Sequence, residues 1–254
     1  MPIYERPTKS LMVDWAKENL SPGGPFKKSA AVQWFAKNYP KIKSNTVNMH
    51  VEGMAVNNPV RKHHPSIKAG SGHDLFYKMG PDQFRLWVPE SDPAPRYKDD
   101  IERQELNDTE SIAEEVEPET EAGVEAAREF AFERDLRNYL VKNLALIESG
   151  LRLYDEEGIT GVEFPVGGRF IDILAIDKDG CYVVVELKVS RGYDRVVGQL
   201  LRYMGWVEQN METSQPVRGI IVAKEITSDL KLAASRVSGV RLIEYEISFK
   251  LHPV

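Results

Sequence analysis

Residues 169–177 have the sequence Arg169-Phe-Ile-Asp-Ile-Leu-Ala-Ile-Asp177, and residues 181–189 have the sequence Cys181-Tyr-Val-Val-Val-Glu-Leu-Lys-Val189. Apolar runs rich in Ile and Val are typical of buried β-strands, so charges inside them need an explanation. Glu186 and Lys188 are two residues apart and therefore face the same side of their strand. Asp172 lies on the preceding strand, which the turn Asp177-Lys-Asp-Gly180 connects to the second.

These three side chains form a predicted cluster of two carboxylates and one ammonium group. Such a cluster is unfavourable to bury unless it binds a hard divalent cation. Aspartate, glutamate and a main-chain carbonyl are the oxygen ligands that Mg²⁺ prefers. The residues therefore predict a site for Mg²⁺ or Mn²⁺ on this pair of strands.

The same residues carry a family resemblance. The spacing from Asp172 to Glu186-Leu187-Lys188 resembles the metal-nuclease signature of the PD-(D/E)XK superfamily. Four stretches are similar to the catalytic domain of the NucS (EndoMS) endonucleases: Phe132-Glu-Arg-Asp-Leu-Arg-Asn-Tyr-Leu140, Gly168-Arg-Phe-Ile-Asp-Ile-Leu174, Val184-Val-Glu-Leu-Lys188 and Gly198-Gln-Leu-Leu-Arg-Tyr-Met-Gly-Trp206. The resemblance covers about the second half of the chain; in its first half that family carries a different, β-rich domain.

The resemblance implies a divalent-metal-dependent endonuclease that hydrolyses phosphodiester bonds. Asp172 and Glu186 would bind Mg²⁺ or Mn²⁺ together with the Leu187 carbonyl. Lys188 would orient or deprotonate the attacking water, or stabilise the oxyanion that develops on the phosphorus. Glu133 matches the carboxylate that the family places on its first helix.

Two further positions follow the same resemblance. Gln199 and Tyr203 are four residues apart on a predicted helix, so they share a face and resemble the Gln-x-x-x-Tyr element of these nucleases. Glu163, on the strand before Asp172, is a second and weaker candidate ligand. Arg191 and Arg195 would supply positive charge for the DNA backbone.

The second half of the chain predicts an α/β domain over residues 130–254, restriction-endonuclease-like, with a central mixed sheet between helices. Helices are predicted at residues 130–148, 193–210 and 228–237, and strands at residues 161–166, 169–177, 181–189, 217–224 and 240–251.

Length and composition restrict the number of domains and the class of protein. The chain has 254 residues, of which 42% are hydrophobic, and this is enough for two modest domains. No apolar run approaches the length of a membrane span, and the start of the chain lacks the basic-then-apolar order of a signal peptide. The single cysteine, Cys181, fits a reducing compartment. A cytoplasmic protein with no membrane partner is predicted.

The net charge of −6 is unevenly distributed. Residues 1–98 hold 15 Lys and Arg against 8 Asp and Glu, residues 99–129 hold 2 against 13, and residues 130–254 hold 16 against 18. The middle segment predicts an acidic linker between two domains. The alternative is that this acidic segment mimics nucleic acid and acts as an autoinhibitor.

Residues 1–98 predict a winged helix-turn-helix-like domain, so the whole chain is expected to be an α+β protein of two domains. Three helices are expected at Leu11–Leu20 with Ser10 as cap, at Ser29–Tyr39, and after a cap at Ser44. A hairpin with strands at residues 73–78 and 83–88 follows. In the third helix an apolar face leaves the other faces to Asn45, Thr46, Asn48, His50 and Glu52.

Basic charge favours DNA as the partner of this amino-terminal domain. The third helix would enter the major groove with Asn45 and Asn48 at the base edges. The residues expected at phosphates are Lys41, Lys43, Arg61, Lys62 and Lys68. The alternative is that this domain is a protein-interaction module and that the amide side chains belong to a solvated surface. The histidines do not predict zinc, since they lack a cysteine partner and the spacing of such sites.

Together these features predict an endodeoxyribonuclease whose amino-terminal domain selects the target, with double-stranded DNA as partner and a restriction or defence role that includes modified bases. The alternatives are a non-catalytic DNA-binding regulator on a nuclease scaffold, a mismatch-type DNA repair endonuclease, and an RNA nuclease. A homodimer is expected because cleavage of both strands commonly needs two copies of such a site.

Overall fold

The structure is a computed structural model that describes residues 3–64, 66–101, 121–167, 169–192, 194–213 and 215–248, without the side chains of residues 121–131, 190 and 191. The chain divides into two compact units: the described residues up to 101 together with Asp155–Thr160, and the described residues from 121 onward without that segment. Most of the predicted acidic linker lies outside the described residues. No helix in the described ranges is long and apolar enough to cross a bilayer.

The first unit has three helices followed by a hairpin, in the predicted order of elements. These are α1 (Thr8–Asn19), α2 (Lys28–Asn38), α3 (Ser44–Gly53), a 3₁₀ helix (Pro59–His63), β1 (Phe76–Gly80) and β2 (Gln83–Leu86). The two strands are antiparallel. Large side chains fill the core between the helices and the hairpin, among them Trp15, Phe35, Phe76 and Phe84.

Three local predictions in the first unit are corrected. Helix α1 begins at Thr8, with Pro7 rather than Ser10 at the cap position, and α3 begins at Ser44, with Lys43 at its cap position. Thr46 and His50 of α3 were expected on a polar face but are buried. The reason is that α3 packs against α1, α2 and the 3₁₀ helix, so protein surrounds more of it than a one-sided amphipathic helix allows.

The second half of the chain alternates strands and helices. Its elements are α4 (Glu121–Lys142), a 3₁₀ helix (Leu144–Leu146), β3 (Arg152–Leu153), β4 (Asp155–Glu156), β5 (Ile159–Thr160), β6 (Val162–Val166), β7 (Arg169–Ile176), β8 (Tyr182–Gly192), α5 (Arg195–Asn210), β9 (Arg218–Ile226), α6 (Ser228–Ala234) and β10 (Val240–Glu244). Helix α4 starts inside the segment expected to be a linker. Ala and Glu are strong helix formers, which explains a helix in so acidic a segment.

The second unit contains a mixed sheet, as predicted. Its strand order is β10-β9-β8-β7-β3, and β6 also pairs with β7. Strands β6 and β8 run antiparallel to β7, whereas β8, β9 and β10 are mutually parallel. Helices α5 and α6 make the two crossover connections that parallel neighbours require.

The alternation of side chains on this sheet decides where its charges lie. Ile173, Val185 and Leu187 belong to an apolar core with Leu136 and Leu140 of α4. Asp172, Glu186 and Lys188 occupy the alternate positions and therefore point away from that core. Helix α5 covers the opposite face closely: a Cβ at Gly219 of β9 would lie 2.7 Å from Leu200 and Met204.

The small β4–β5 hairpin groups with the first unit. The carboxylate of Glu157 in its turn accepts hydrogen bonds from the main-chain N–H groups of Ile3, at 2.8 Å, and Thr8, at 3.2 Å. Because Thr8 is the first residue of α1, Glu157 satisfies an otherwise unpaired donor at the positive end of that helix.

Candidate active site

The candidate site lies where β7 and β8 separate. Their last paired residues are Ile173 and Val185, so Asp172 and Glu186 are the first residues beyond the pairing. In place of a further ladder bond, the N–H of Leu187 donates to Asp172 Oδ2 at 2.8 Å. We call this region the strand fork. It brings the two carboxylates together, as their positions in the sequence predicted.

Glu186 is the most buried member of the strand fork, with 1% of its surface exposed. Its Oε1 accepts from Lys188 Nζ at 2.7 Å and from Gln199 Nε2 at 2.5 Å. The Gln199 amide also donates to the hydroxyl of Tyr203 at 3.3 Å, so α5 supports the carboxylate through two side chains. Glu186 Oε2 is buried and has no hydrogen-bond partner within the described residues.

Burial and crowding of negative charge set the protonation of this site. Burial, together with the neighbouring charge of Asp172, raises the pKa of Glu186 to about 8. Burial also raises the pKa of Asp172, although the Leu187 N–H opposes the shift. For Lys188, burial lowers the pKa, but the charges of Glu186, Glu133 and Asp172 outweigh it, so the pKa of Lys188 is raised. The lysine therefore carries its positive charge at neutral pH.

The donor set fits a hard divalent cation. An unpartnered, buried Glu186 Oε2 beside a second carboxylate is an electrostatic arrangement that a cation would stabilise. The described residues contain no group of three or more His, Cys, Asp or Glu side chains with the geometry of a metal site. A metal shell here would draw instead on the two carboxylates and the Leu187 carbonyl.

Helix α4 supplies the third carboxylate and one residue that the sequence did not reveal. The charge of Glu133 acts on the pKa values of both Glu186 and Lys188, which places this half-buried side chain beside the strand fork. Arg137 pairs with Glu163 at 2.9 Å and lies 3.9 Å from Asp172 Oδ1. A signal for it was present, since Arg137 follows Glu133 by four residues and so shares its helix face.

The structure distributes the residues proposed to contact DNA over different environments. Lys41, Lys68 and Arg195 are exposed, while Lys43, Asn45, Asn48 and Lys62 are half-buried. The side chain of Arg191 lies outside the described set. Arg61 differs from the others, because its guanidinium is buried against Asp74 at 2.5 Å and stacks on Tyr97. It does not present its charge to solvent.

Two histidines beside Arg61 are buried as well. The rings of His50 and His64 lie 6.0 Å apart, centroid to centroid. Burial lowers the pKa of His50 to about 3 and holds the pKa of His64 well below its usual value. Both rings are therefore neutral at physiological pH, as expected of core residues.

The fold and the site together define a class of structure. It is an α/β domain that carries carboxylates, a lysine and a glutamine at a strand fork. Residues 132–247 match the family described as "Endonuclease NucS C-terminal domain". Residues 7–86 match a different family, described as "Domain of unknown function (DUF7669)".

Individual relatives agree with this division. Endonuclease NucS of Pyrococcus abyssi is 33% identical over 100 residues, which are 39% of this chain and 36% of that protein. Endonuclease NucS of Frankia alni is 35% identical over 135 residues, 52% of this chain and 58% of that protein. A crystal structure of a repair endonuclease from Pyrococcus abyssi is 29% identical, covers 45% of this chain and 46% of its own, and has a TM-score of 0.39.

The carboxy-terminal half of the chain is therefore similar to the NucS endonucleases, which confirms the resemblance in the sequence. The amino-terminal match is to a different family. The matches span 36% and 58% of the two relatives' lengths.

Proposed function

We propose that this protein is a divalent-metal-dependent DNA endonuclease of the PD-(D/E)XK type, in which the carboxy-terminal domain hydrolyses phosphodiester bonds and the amino-terminal unit selects the target. The observation that carries the proposal is the strand fork itself. Asp172, Glu186 and Lys188 converge there, within the part of the chain that matches the NucS catalytic family.

Mg²⁺ or Mn²⁺ bound at this site would lower the pKa of a water molecule and stabilise negative charge on the phosphoryl group. Asp172, Glu186 and the Leu187 carbonyl would hold the cation. Gln199 and Tyr203 orient the Glu186 carboxylate through its Oε1, which leaves Oε2 available. Glu133 approaches the same centre from α4.

The role of Lys188 follows from its charge. A lysine that acts as general base needs a pKa lowered toward neutrality. The pKa of Lys188 is raised instead, because carboxylates surround it. We propose that Lys188 stabilises the oxyanion or orients the attacking water through its N–H groups. A cation bound to Asp172 and Glu186 would offset the charges that raise the pKa of Lys188, so removal of a proton by Lys188 stays the alternative.

Target selection would belong to the amino-terminal unit, in the manner of a winged helix. Thr46 and His50 are buried, so Asn45 and Asn48, which are half-buried, remain the proposed contacts of α3 at base edges. Lys41, Lys43, Lys62 and Lys68 are the proposed phosphate contacts, and Arg61 is left out because it is buried and paired. Arg191 and Arg195 would contact DNA beside the nuclease site.

Two substrate classes are open to such an enzyme. One is DNA repair, including mismatch-type repair, with which the match to the NucS endonuclease family is compatible. The different amino-terminal family favours a target other than that of the NucS proteins, such as a modified base in a restriction or defence role. Cleavage of both strands would require two copies, so we propose a homodimer on DNA.

A single assay tests these points together. The full chain is incubated with labelled single-stranded, duplex, mismatched, methylated and hydroxymethylated DNA, and with RNA, in Mg²⁺ and in EDTA. We expect cleavage of duplex DNA in Mg²⁺ alone, with a preference among the duplexes. Equal cleavage of all duplexes would remove the selection role, and binding without cleavage by the wild-type chain would favour the non-catalytic regulator.

A further inference from the structure

Arg137 is a buried charge beside the strand fork that the catalytic assignment leaves without a role. Its side chain is 8% exposed, although guanidinium groups are rarely buried unless they are paired. It projects from α4 next to Leu136, whose side chain belongs to the apolar core. At this depth it is too enclosed to receive a DNA phosphate, so any effect on catalysis must pass through its neighbours.

Those neighbours are two carboxylates that face each other across a strand pair. Val162 pairs with Ile173 and Phe164 pairs with Ile171, so Glu163 lies opposite Asp172 in the register of β6 and β7. Arg137 Nη2 contacts Glu163 Oε1 at 2.9 Å, and Nη1 lies 3.9 Å from Asp172 Oδ1. The planar guanidinium thus spans both carboxylates with two different nitrogens.

Glu163 holds this position with an unusual backbone. Its φ is 45°, in the left-handed region that side chains other than glycine rarely adopt. Such a conformation is unfavourable and persists where the surroundings impose it, often at functional sites. Here the strained residue is the one whose carboxylate anchors Arg137.

The Asp172 carboxylate consequently has a hydrogen-bond donor at one oxygen and a cation near the other. The Leu187 N–H holds Oδ2 at 2.8 Å, and the guanidinium of Arg137 faces Oδ1. Groups that orient a metal ligand in this way commonly change metal affinity or activity by 10-fold to 100-fold when they are removed.

We propose that Arg137 is a positioning residue for Asp172: held by Glu163, its guanidinium sets the orientation in which the Asp172 carboxylate meets a divalent cation. This role rests on the proposed function, because it assumes that Asp172 is a metal ligand. It also assigns Glu163 to anchoring Arg137 rather than to binding the cation.

An alternative role for Arg137 is to neutralise negative charge. The two roles predict opposite changes in metal affinity when Arg137 is removed. If Arg137 acted only through its charge, it would repel the cation, so its removal should tighten metal binding. If it orients the carboxylate, its removal should weaken metal binding. Removing Arg137 alone would take away the ion pair of a partly buried carboxylate, Glu163, and risk the fold.

The experiment therefore compares Glu163→Gln with Glu163→Gln/Arg137→Met in the full chain. Glutamine keeps an acceptor for Arg137 in the first variant, and the second leaves no unpaired carboxylate at position 163. Mn²⁺ binding is measured by calorimetry, cleavage of duplex DNA is measured at saturating Mn²⁺, and the thermal midpoint reports folding.

We expect the double variant to bind Mn²⁺ roughly 10-fold more weakly than Glu163→Gln and to cleave roughly 10-fold to 100-fold more slowly than that variant. Mn²⁺ binding by the double variant that is equal to or tighter than binding by Glu163→Gln would overturn the proposal. If the wild type binds Mn²⁺ but cuts no DNA, the proposed function fails, while the binding comparison still decides the role of Arg137.

Discussion

Buried charge is treated differently in the two units of the chain. In the first unit, Glu52 of α3 pairs with Lys28 and Lys78, each at 2.8 Å, and Lys28 also lies 4.0 Å from Asp82, so two carboxylates face two lysines. In the second unit, the described side chains around the strand fork include four carboxylates, Glu133, Glu163, Asp172 and Glu186, against two cations, Lys188 and Arg137. A balanced network stabilises a fold, whereas an unbalanced one is unfavourable unless a ligand completes it. The contrast indicates which cluster is structural and which is functional.

The contrast between a structural and a functional cluster predicts its largest effect on the rate of DNA cleavage. Replacing Lys188 by Ala removes the positive charge that we propose to stabilise the reacting phosphate. We expect the cleavage rate to fall about 100-fold to 1,000-fold. Cleavage of a labelled duplex under single-turnover conditions measures it. A rate within a few-fold of wild type would mean that the lysine only balances the charge of Glu186.

The matched substitution in the first unit should act on stability instead. Glu52→Ala would leave Lys28 and Lys78 without their shared carboxylate, and we expect a loss of roughly 2 kcal/mol of unfolding free energy. Urea denaturation measures it, and Mn²⁺ binding at the strand fork is the control that should not change. A stable Glu52→Ala protein with altered Mn²⁺ binding would reverse the division of roles.

The pH dependence of stability should differ in sign between the units. In the first unit, His50 has a pKa of about 3 when folded, below the usual 6.5. The unfolded chain therefore binds a proton that the folded unit does not, and stability falls as pH drops from about 6.5 toward 3, by about 1.4 kcal/mol per pH unit for each such histidine. Hydrogen exchange of α3 amides measures this, and His50→Met should flatten the slope.

In the second unit the sign is opposite and the expected slope is smaller. Glu186 has a pKa of about 8 when folded, above the usual 4.5. The folded unit therefore keeps a proton that the unfolded chain releases, and in EDTA its stability should fall as pH rises from 4.5 to 8, by roughly 1 kcal/mol per pH unit. Exchange of β8 amides reports it. Glu186→Gln should remove the slope, and a slope shared by both proteins would contradict this account.

Much of the strand fork could be predicted from the sequence, because its geometry is local. Strand alternation places Glu186 and Lys188 on one face, a short turn brings Asp172 beside them, and helical spacing unites Gln199 with Tyr203. These relations span a few residues and depend little on how the elements pack.

The remaining features depend on packing and could not be read in this way. That Arg137 reaches Glu163 follows from how α4 lies on the sheet and from a left-handed residue inside β6, and no local pattern encodes either. The burial of Thr46, His50 and Arg61 has the same origin, since α3 and the 3₁₀ helix are covered on several sides. These polar residues, which were predicted on the surface of the first unit, therefore lie in its core.

The central claim is that the strand fork binds a divalent cation through its unbalanced carboxylates. The most direct test is a Mn²⁺ titration of the metal-free full chain and of its Glu186→Gln variant, followed by calorimetry at pH 8. We predict saturable binding by the wild type and its loss in the variant, although the variant remains folded. Equal Mn²⁺ binding by both proteins would contradict the account.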